Sequence, residues 1–500
     1  MIVALHSKED ENTAHAGRRA SCEAKSGEKP TLAIIVGVGW GIRNYLLSET
    51  FDVIKQHFRP LIVSHYSHLS DFRAFCEGHG AAVASLPLDS PPKTPRILLR
   101  FAENAFLRRH PTVSHGEKLK RKSEPTEKKS GLRGKVWKAM EKVSHPILFP
   151  PLRSIFKASA VRSWSAVREM RDLFQKENVV AVFSTNMSER TEWPASLAAE
   201  SMGLPVVAAI TSWDNPSTKK FPPCDYDAYL VWGEDMRDQL RKYMGVEDLG
   251  RIHIVGAPQF DFYLDQRYQQ SREEFCRPLG LDPKRKIIVY ATVTPGIIPD
   301  NPELIRQLHG VLRSRRFSGD PQILVRLHPK DRIERYEHLR KDPAFRDITW
   351  TLAGDPKIEG KDQWCPNHDD LVRAVNTVRH GDVNVHAGYS TMILDFASVN
   401  KPVVLIGFDS TGETSLCRFW ETYEHLVPVM SSGAVEAAYD LDQLATYIES
   451  ALARPEARAP QRAALTRLEL GSFDGGSGHR AGQVIVDVIE KRLQRAKRVA

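Results

Sequence analysis

The stretch "NVHAGYSTMILDFASVNKPVVLIGFD", residues 384–409, reads as an apolar strand, a short polar loop, a helix, a Lys-Pro stop and a second apolar strand. Apolar runs of strand length bounded by turn residues suit strands buried on both faces of a sheet. Two of them joined by a helix make a βαβ unit. Gly388, Tyr389, Ser390 and Thr391 stand where strand hands over to helix. A helix amino terminus carries unpaired N–H groups and the positive end of the helix dipole, so it suits an anion. Gly388 would let phosphates come close, and Ser390 and Thr391 add hydroxyls. Asp395 follows about one turn later, where a carboxylate could accept from ribose hydroxyls. The plainer alternative is an ordinary helix cap with Asp395 on a solvated face.

The same alternation extends in both directions. Upstream of the quoted stretch come the strands "KIIVYATV", "QILVRLHP" and "ITWTLAG", with helices expected near 301–315, from Arg332 and near 369–375. Helices near 441–453 and 478–498 close the chain. An earlier series contains "TLAIIVGVG", "RPLIVSHYS", "AAVASLPLD", "VVAVFST", "LPVVAAITS", "YDAYLVWG" and "RIHIVGAPQFD", with a single helix expected over 154–174 and further helices at "ERTEWPASLAAESMG" and "EDMRDQLRKYMG". Strands separated by helical patterns imply parallel sheets. The expected fold class is therefore α/β, with two Rossmann-like doubly wound domains facing a cleft. The expected boundaries are a disordered lead-in over 1–30, a first domain over 31–264, a connection over 265–286 and a second domain over 287–500 that includes the terminal helices. Ligands of such sheets bind beyond the carboxyl ends of the strands, and each motif below falls at such an end.

"ILVRLHPKD" gathers Arg326, His328 and Lys330 at a strand end, two residues apart and so on one face. Three potential cations suit a phosphate or pyrophosphate. "TSWDNPSTKKFPPCD" offers Trp213, Asp214, Asn215 and Lys219 in one loop; a carboxylate beside an aromatic wall can serve as a base. The competing reading is an Asp-Asn turn stiffened by Pro216, with the Trp as a core plug. "STNMSERTEW" places Ser184, Thr185 and Asn186 where they could cap the following helix. "IIVGVGWGIRN" fails as a dinucleotide fingerprint: the third glycine would fall at Ile42, and the next strand ends in Ser64 and His65 rather than an acid. What remains is a tight loop at Gly39 and Gly41 open to a ligand, with Arg43 and Asn44 in the next helical turn as candidates to face the cleft.

The chain of 500 residues carries a formal charge of +8. Residues 91–160 hold 17 Lys and Arg against 5 Asp and Glu, so the rest is near −4. This basic insertion, about 91–150, contains "PRILLRFAENAFLRRHP", with Ile97, Leu98, Phe101, Phe106 and Leu107 partly on one side of a helix. Such segments dock on anionic membranes; the alternative is a solvated insertion. No nucleic-acid motif accompanies the charge, so no nucleic-acid partner is expected. The six cysteines stand singly without a CxxC pair, which leaves neither zinc site nor disulfide framework. No run approaches the roughly 20 apolar residues of a span, and the start lacks a signal-peptide core, so a cytoplasmic location is expected, with attachment to the inner face of the plasma membrane as an option.

The layout "GYSTMILDFASVNKPVVLI" resembles the nucleotide-diphosphate site of GT-B glycosyltransferases. The resemblance implies that Gly388, Tyr389, Ser390 and Thr391 grip the diphosphate and Asp395 the ribose. "WDNPSTK", "RLHP" and "GYSTMILDF" together resemble the CDP-glycerol glycerophosphotransferases of teichoic acid synthesis, which carry a Trp-His-Gly-Thr-Pro-x-Lys loop, an x-His-Pro strand end and a Tyr-Ser-Ser loop. The resemblance implies that His328 contacts the donor pyrophosphate. The family's loop histidine, its proposed base, corresponds to Asp214, which puts the acceptor and the reaction in question. "TSWDNPSTK" also looks like a loop in bacterial glycosyltransferase-like proteins, which favours a sugar donor. The expected activity is metal-independent glycosyl transfer from a nucleotide-activated donor to a surface-polysaccharide or lipid-linked acceptor. Asp214 would be the base and Gly39, Gly41, Arg43, Asn44, Trp213, Asn215 and Lys219 would face the acceptor. No cofactor is expected, the nucleotide being a substrate. The alternatives are a polyol-phosphate transferase, a nucleotide-sugar epimerase, or a non-catalytic nucleotide-binding scaffold.

Overall fold

Thirteen strands form two separate, wholly parallel sheets in the computed structural model, which describes residues 29–123, 144–353, 364–388 and 390–499. The lead-in up to residue 28, the middle of the basic insertion and Tyr389 lie outside the described residues. The first sheet contains β1 (Thr31–Val36), β2 (Arg59–Ser64), β3 (Ala82–Ser85), β4 (Val179–Ser184), β5 (Val206–Ala209), β6 (Ala228–Val231) and β7 (Ile252–Ile254). The second contains β8 (Ile287–Ala291), β9 (Gln322–Arg326), β10 (Ile348–Thr351), β11 (Val383–Ala387), β12 (Val403–Ile406) and β13 (Glu436–Ala438). Their orders are β3-β2-β1-β4-β5-β6-β7 and β10-β9-β8-β11-β12-β13. Each order reverses beside its first strand, between β1 and β4 and between β8 and β11. These reversals leave a crevice at the carboxyl ends, the usual ligand position of a doubly wound sheet. Strands such as β1, β8 and β11 are buried along their whole length, as continuous apolar runs in a parallel sheet should be.

Three expectations change on folding. The helix expected over 154–174 is two helices, Phe149–Ser163 and Ser165–Lys176. They part at Trp164, which is buried in extended conformation with its indole N–H on the Asp89 carbonyl at 3.2 Å. The helix Lys93–Arg109 in the basic insertion buries Leu99, Phe106 and Leu107 in the first core and packs against Phe149–Ser163, so much of its apolar side is taken up inside the protein, with Ile97, Leu98 and Phe101 half-buried. The closing helix Ser477–Val499, expected with the second domain, instead packs on helix Glu49–His57 of the first. Ala481, Ile485, Val486 and Ile489 are fully buried there. Burial of each isoleucine is worth roughly 1.5–3 kcal/mol, enough to decide where the chain ends. Helix Ala459–Leu470 lies against both Met392–Ser398 and Glu234–Met244, joining the two halves.

Candidate active-site cleft

In the second half, the carboxyl ends of β8, β9 and β11 build one side of the cleft. Gly388 has φ +71°, a conformation that suits glycine, and its carbonyl accepts from the Trp420 indole N–H at 2.8 Å. The following helix is Met392–Ser398; Ser390 Oγ accepts from the Met392 N–H at 3.3 Å, and Thr391 makes no side-chain cap bond. Asp395 is not on a solvated face. It is buried and accepts from the Tyr263 hydroxyl at 2.7 Å. Burial pushes its carboxyl up to about 6, against the pull of Tyr263, Arg43 and Arg326.

Arg326 ends β9 among Tyr263, Asp370, Arg373 and Asp395. Its Nη1 is buried with no hydrogen-bond partner. His328 is fixed by two bonds: its backbone N–H donates to Thr292 Oγ1 at 2.8 Å, and its Nδ1 accepts from the Lys330 N–H at 3.0 Å. An Nδ1 that accepts leaves the proton on Nε2. Burial, with Lys330 nearby, lowers this histidine to about 4, so near neutral pH it is an uncharged N–H donor. Lys330 is exposed and lies 5.6 Å from the Trp40 ring centroid. The strand end therefore presents one guanidinium, one neutral donor and one rim cation, rather than three converging cations.

The first half meets this face through the segment after β1. Trp40 lies edge-on to Trp364 at 4.9 Å and 6.5 Å from His328. Arg43 donates from Nε to Asn44 Oδ1 at 3.0 Å, sits 5.5 Å from the Trp364 ring and interacts with Asp395 and Tyr263 across the cleft. Asn44 is buried, with its Nδ2 unpartnered. The glycines do not leave the expected space for a ligand. A Cβ on Gly39 would lie 2.1 Å from the Trp364 carbonyl, and one on Gly41 2.3 Å from Thr185 Oγ1, so both serve close packing within the protein. Nor do Ser184, Thr185 and Asn186 cap the next helix. Together with the Gly37 N–H they donate to the buried Glu192, at 2.7, 3.0, 3.1 and 2.9 Å for Ser184, Thr185, Asn186 and Gly37.

A second cluster forms at the end of β5. Asp214 accepts from Ser212 Oγ at 2.5 Å, Asn215 Nδ2 at 3.2 Å and Thr218 Oγ1 at 2.8 Å. Burial alone would raise this carboxyl; Lys219, His425 and these hydroxyls outweigh it and hold it below its ordinary range. Asn215 and Trp213 are buried, whereas Lys219 is exposed. Trp213 meets His425 edge-on at 5.2 Å, and His425 Nδ1 lies 3.2 Å from Ser217 Oγ. A histidine from the second half thus stands beside the position where the resemblance led one to expect a loop histidine. Burial lowers it to about 4 despite Asp214.

The basic insertion supports this loop. Thr112 Oγ1 donates to the Ser217 carbonyl at 2.8 Å, Lys118 Nζ donates to that of Thr218, and His115 Nε2 lies 2.7 Å from that of Lys219. The last carbonyls of the short helix Asn215–Thr218, which a helix end leaves unpaired, are satisfied in this way. Helix Val113–Ser123 is held in turn from the other half. Glu424 accepts from the Val113 N–H at 2.8 Å, and the Tyr423 hydroxyl lies 3.0 Å from Glu117 Oε2. Sequence reasoning missed Trp40, Tyr263, Trp364 and His425. An aromatic inside the glycine loop was the one available signal; the others carry no periodicity or spacing that marks them.

Among the described residues no helix is long and apolar enough to cross a membrane, and no group of three or more His, Cys, Asp or Glu could hold a metal ion. No family model matches the sequence, and no curated protein matches it. Solved structures do match the fold. UDP-GlcNAc 2-epimerase from Neisseria meningitidis, bound to UDP-GlcNAc, is 9% identical, with 92% of this chain and 100% of that one covered, at a TM-score of 0.53. S. aureus MnaA, solved with UDP, is 12% identical, with 93% and 97% covered, at 0.52. The wall teichoic acid polymerase TagF is 11% identical, with 93% and 90% covered, at 0.47. Two parallel sheets meeting at their carboxyl ends, over nearly the full length of these neighbours, give this chain the two-domain GT-B fold.

Proposed function

We propose that this protein is an enzyme that moves a glycosyl group from a nucleotide-activated donor to a surface-polysaccharide or lipid-linked acceptor at the cytosolic face. The observation that carries the reading is Arg326, a half-buried side chain whose Nη1 is buried and unpartnered beside the crevice between β8 and β11. A buried donor without a partner is costly, and a diphosphate oxygen would satisfy it. His328 Nε2–H and the backbone around Gly388 supply further donors. The acceptor hydroxyl oxygen forms the new bond to the anomeric carbon, the bond from that carbon to the diphosphate oxygen breaks, and the diphosphate leaves with the electron pair. The hydroxyl proton passes to the Asp214 carboxylate. Because Asp214 is a weak base with three donors already on it, it takes the proton late, as charge develops on the leaving diphosphate. No metal is required in this scheme, since Arg326 and the neutral donors meet that charge.

One observation favours a second reading, nucleotide-sugar epimerisation. Asp395, raised to about 6 beside Tyr263, places a group able to exchange a proton on the donor side of the cleft. Product analysis with donor alone separates the two, because only the epimerase converts it without acceptor. The donor site itself is tested by thermal shift across UDP, CDP, GDP, ADP and their sugar conjugates. A ligand selective for the folded state raises the melting temperature. One nucleotide should stabilise the wild type, and Arg326→Gln should weaken that binding by about tenfold to 100-fold while leaving the free protein's melting temperature nearly unchanged. Equal stabilisation of both proteins would overturn the assignment.

A further inference from the structure

Outside the cleft, the outer helices of the first half carry a surface that none of this chemistry uses. Helix Phe149–Ser163 turns Phe156 and Ala160 into the core. On its other side Leu148, Pro151, Ile155, Ala158 and Arg162, spaced alternately three and four residues apart, are all exposed. That spacing sets them in one line along the helix, roughly 20 Å long. Leu148 is 44% exposed and Ile155 53%, and Ile147 in the preceding turn is 68% exposed. Single exposed apolar residues are ordinary; a continuous row of them marks an interaction face.

Beside the row runs a groove of about 760 Å³, bounded by this helix, helix Ser165–Lys176 and the end of helix Trp193–Ser201. Ala158 and Val161 give it an apolar floor, and Lys157, Arg162, Arg168 and Arg171 line it. Its lone carboxylate, Glu200, is occupied by Lys157 Nζ at 2.6 Å and by the Asp225 N–H at 3.2 Å. Arg171 Nε is buried with no hydrogen-bond partner. Positive charge therefore exceeds negative along the groove, and at least one guanidinium donor has nothing to bond.

We propose that this face docks the protein on a bilayer containing anionic phospholipid. Ile147, Leu148 and Ile155 enter the boundary between headgroups and acyl chains, while Arg162, Arg168 and Arg171 meet lipid phosphates. The charge of the groove selects the partner: an apolar row flanked by an excess of guanidiniums, one of them with an unpaired donor, is complementary to an anionic leaflet. The basic helix Lys93–Arg109 is less suited to this role, because most of its apolar side is spent on the core. The inference does not depend on the transfer chemistry, although a lipid-linked acceptor would be met at such a surface.

The test is flotation of the full chain with vesicles of phosphatidylcholine alone and of phosphatidylcholine with phosphatidylglycerol. Two triple variants are compared, Ile147→Ser with Leu148→Ser and Ile155→Ser, and Arg162→Gln with Arg168→Gln and Arg171→Gln. All six positions lie on or near the surface, and the melting temperature of each variant verifies its fold. The wild type should float with the anionic vesicles only, less so at high salt, and each triple should weaken binding by about tenfold or more. Absence of vesicle binding, binding unchanged in both triples, or a wild-type dimer that the apolar triple dissolves would each overturn the proposal. Nucleotide-induced stabilisation should be the same in both triples, so failure here is distinguishable from failure of the donor-site reading.

Discussion

The two switch points of this molecule share one topology and are filled in opposite ways. Between β1 and β4 the crevice is closed by the protein's own carboxylate: Glu192 takes the Gly37 and Asn186 amides and the Ser184 and Thr185 hydroxyls. Between β8 and β11 no side chain among the described residues plays that part. Asp395, the nearby acid, is turned to Tyr263, and Arg326 keeps a buried donor unpaired. A doubly wound sheet offers amides at the same place each time. Where an internal carboxyl already satisfies them, the crevice is closed from within; where Arg326 keeps a donor over, the proposed donor site has a group to offer an external anion.

The largest test of this contrast is to remove the internal carboxyl. Glu192→Ala would leave two buried amides and two hydroxyls without their acceptor, and should cost about 3–5 kcal/mol in denaturant unfolding. Burial raises the Glu192 carboxyl from its ordinary 4.5 to about 8. A raised carboxyl favours folding while it is protonated, so its contribution is full below about 4.5 and is lost as pH rises toward about 8. The wild type should therefore lose stability relative to Glu192→Gln across that window. A flat difference would mean that the four donors keep the carboxylate ionised and that the plug is a true anion.

The next test lies at the second switch point. Burial raises Asp395 from its ordinary 3.8 to about 6. Its ionised form repels a bound diphosphate, so nucleotide affinity should rise as pH falls through about 6, by roughly fivefold to tenfold. Calorimetric titration of Asp395→Asn should show no such slope. The smallest effect belongs to the rim. Lys330→Ala removes an exposed cation from the Trp40 face and should change nucleotide affinity or stability by only about 0.5 kcal/mol. A larger loss of affinity would place Lys330 on the diphosphate itself.

Much of the framework was legible in the chain. The apolar runs, the Lys-Pro stop at Lys401 and the break before Ile287 each act within a few residues, so local physics marks them. The quoted stretch folds as read, into β11, helix Met392–Ser398 and β12. The chemistry of the sites was less legible. His328 looked like a cation until burial and Lys330 made it neutral; Gly39 and Gly41 looked open until Trp364 and Thr185 occupied their space. The basic insertion looked detached until Thr112, His115 and Lys118 were found on the carbonyls of 217–219.

Sequence by itself determined the two parallel sheets and the strand ends at which polar loops gather, because strand burial and helix periodicity are written in neighbouring residues. Only the tertiary structure decided which loop is plugged and which is open, and that Arg43 faces Asp395 while His425 meets Trp213. Those pairs are separated by hundreds of residues. Their meeting depends on how two independently formed sheets dock, and so does the loss of solvent that sets the charge of each titrating group.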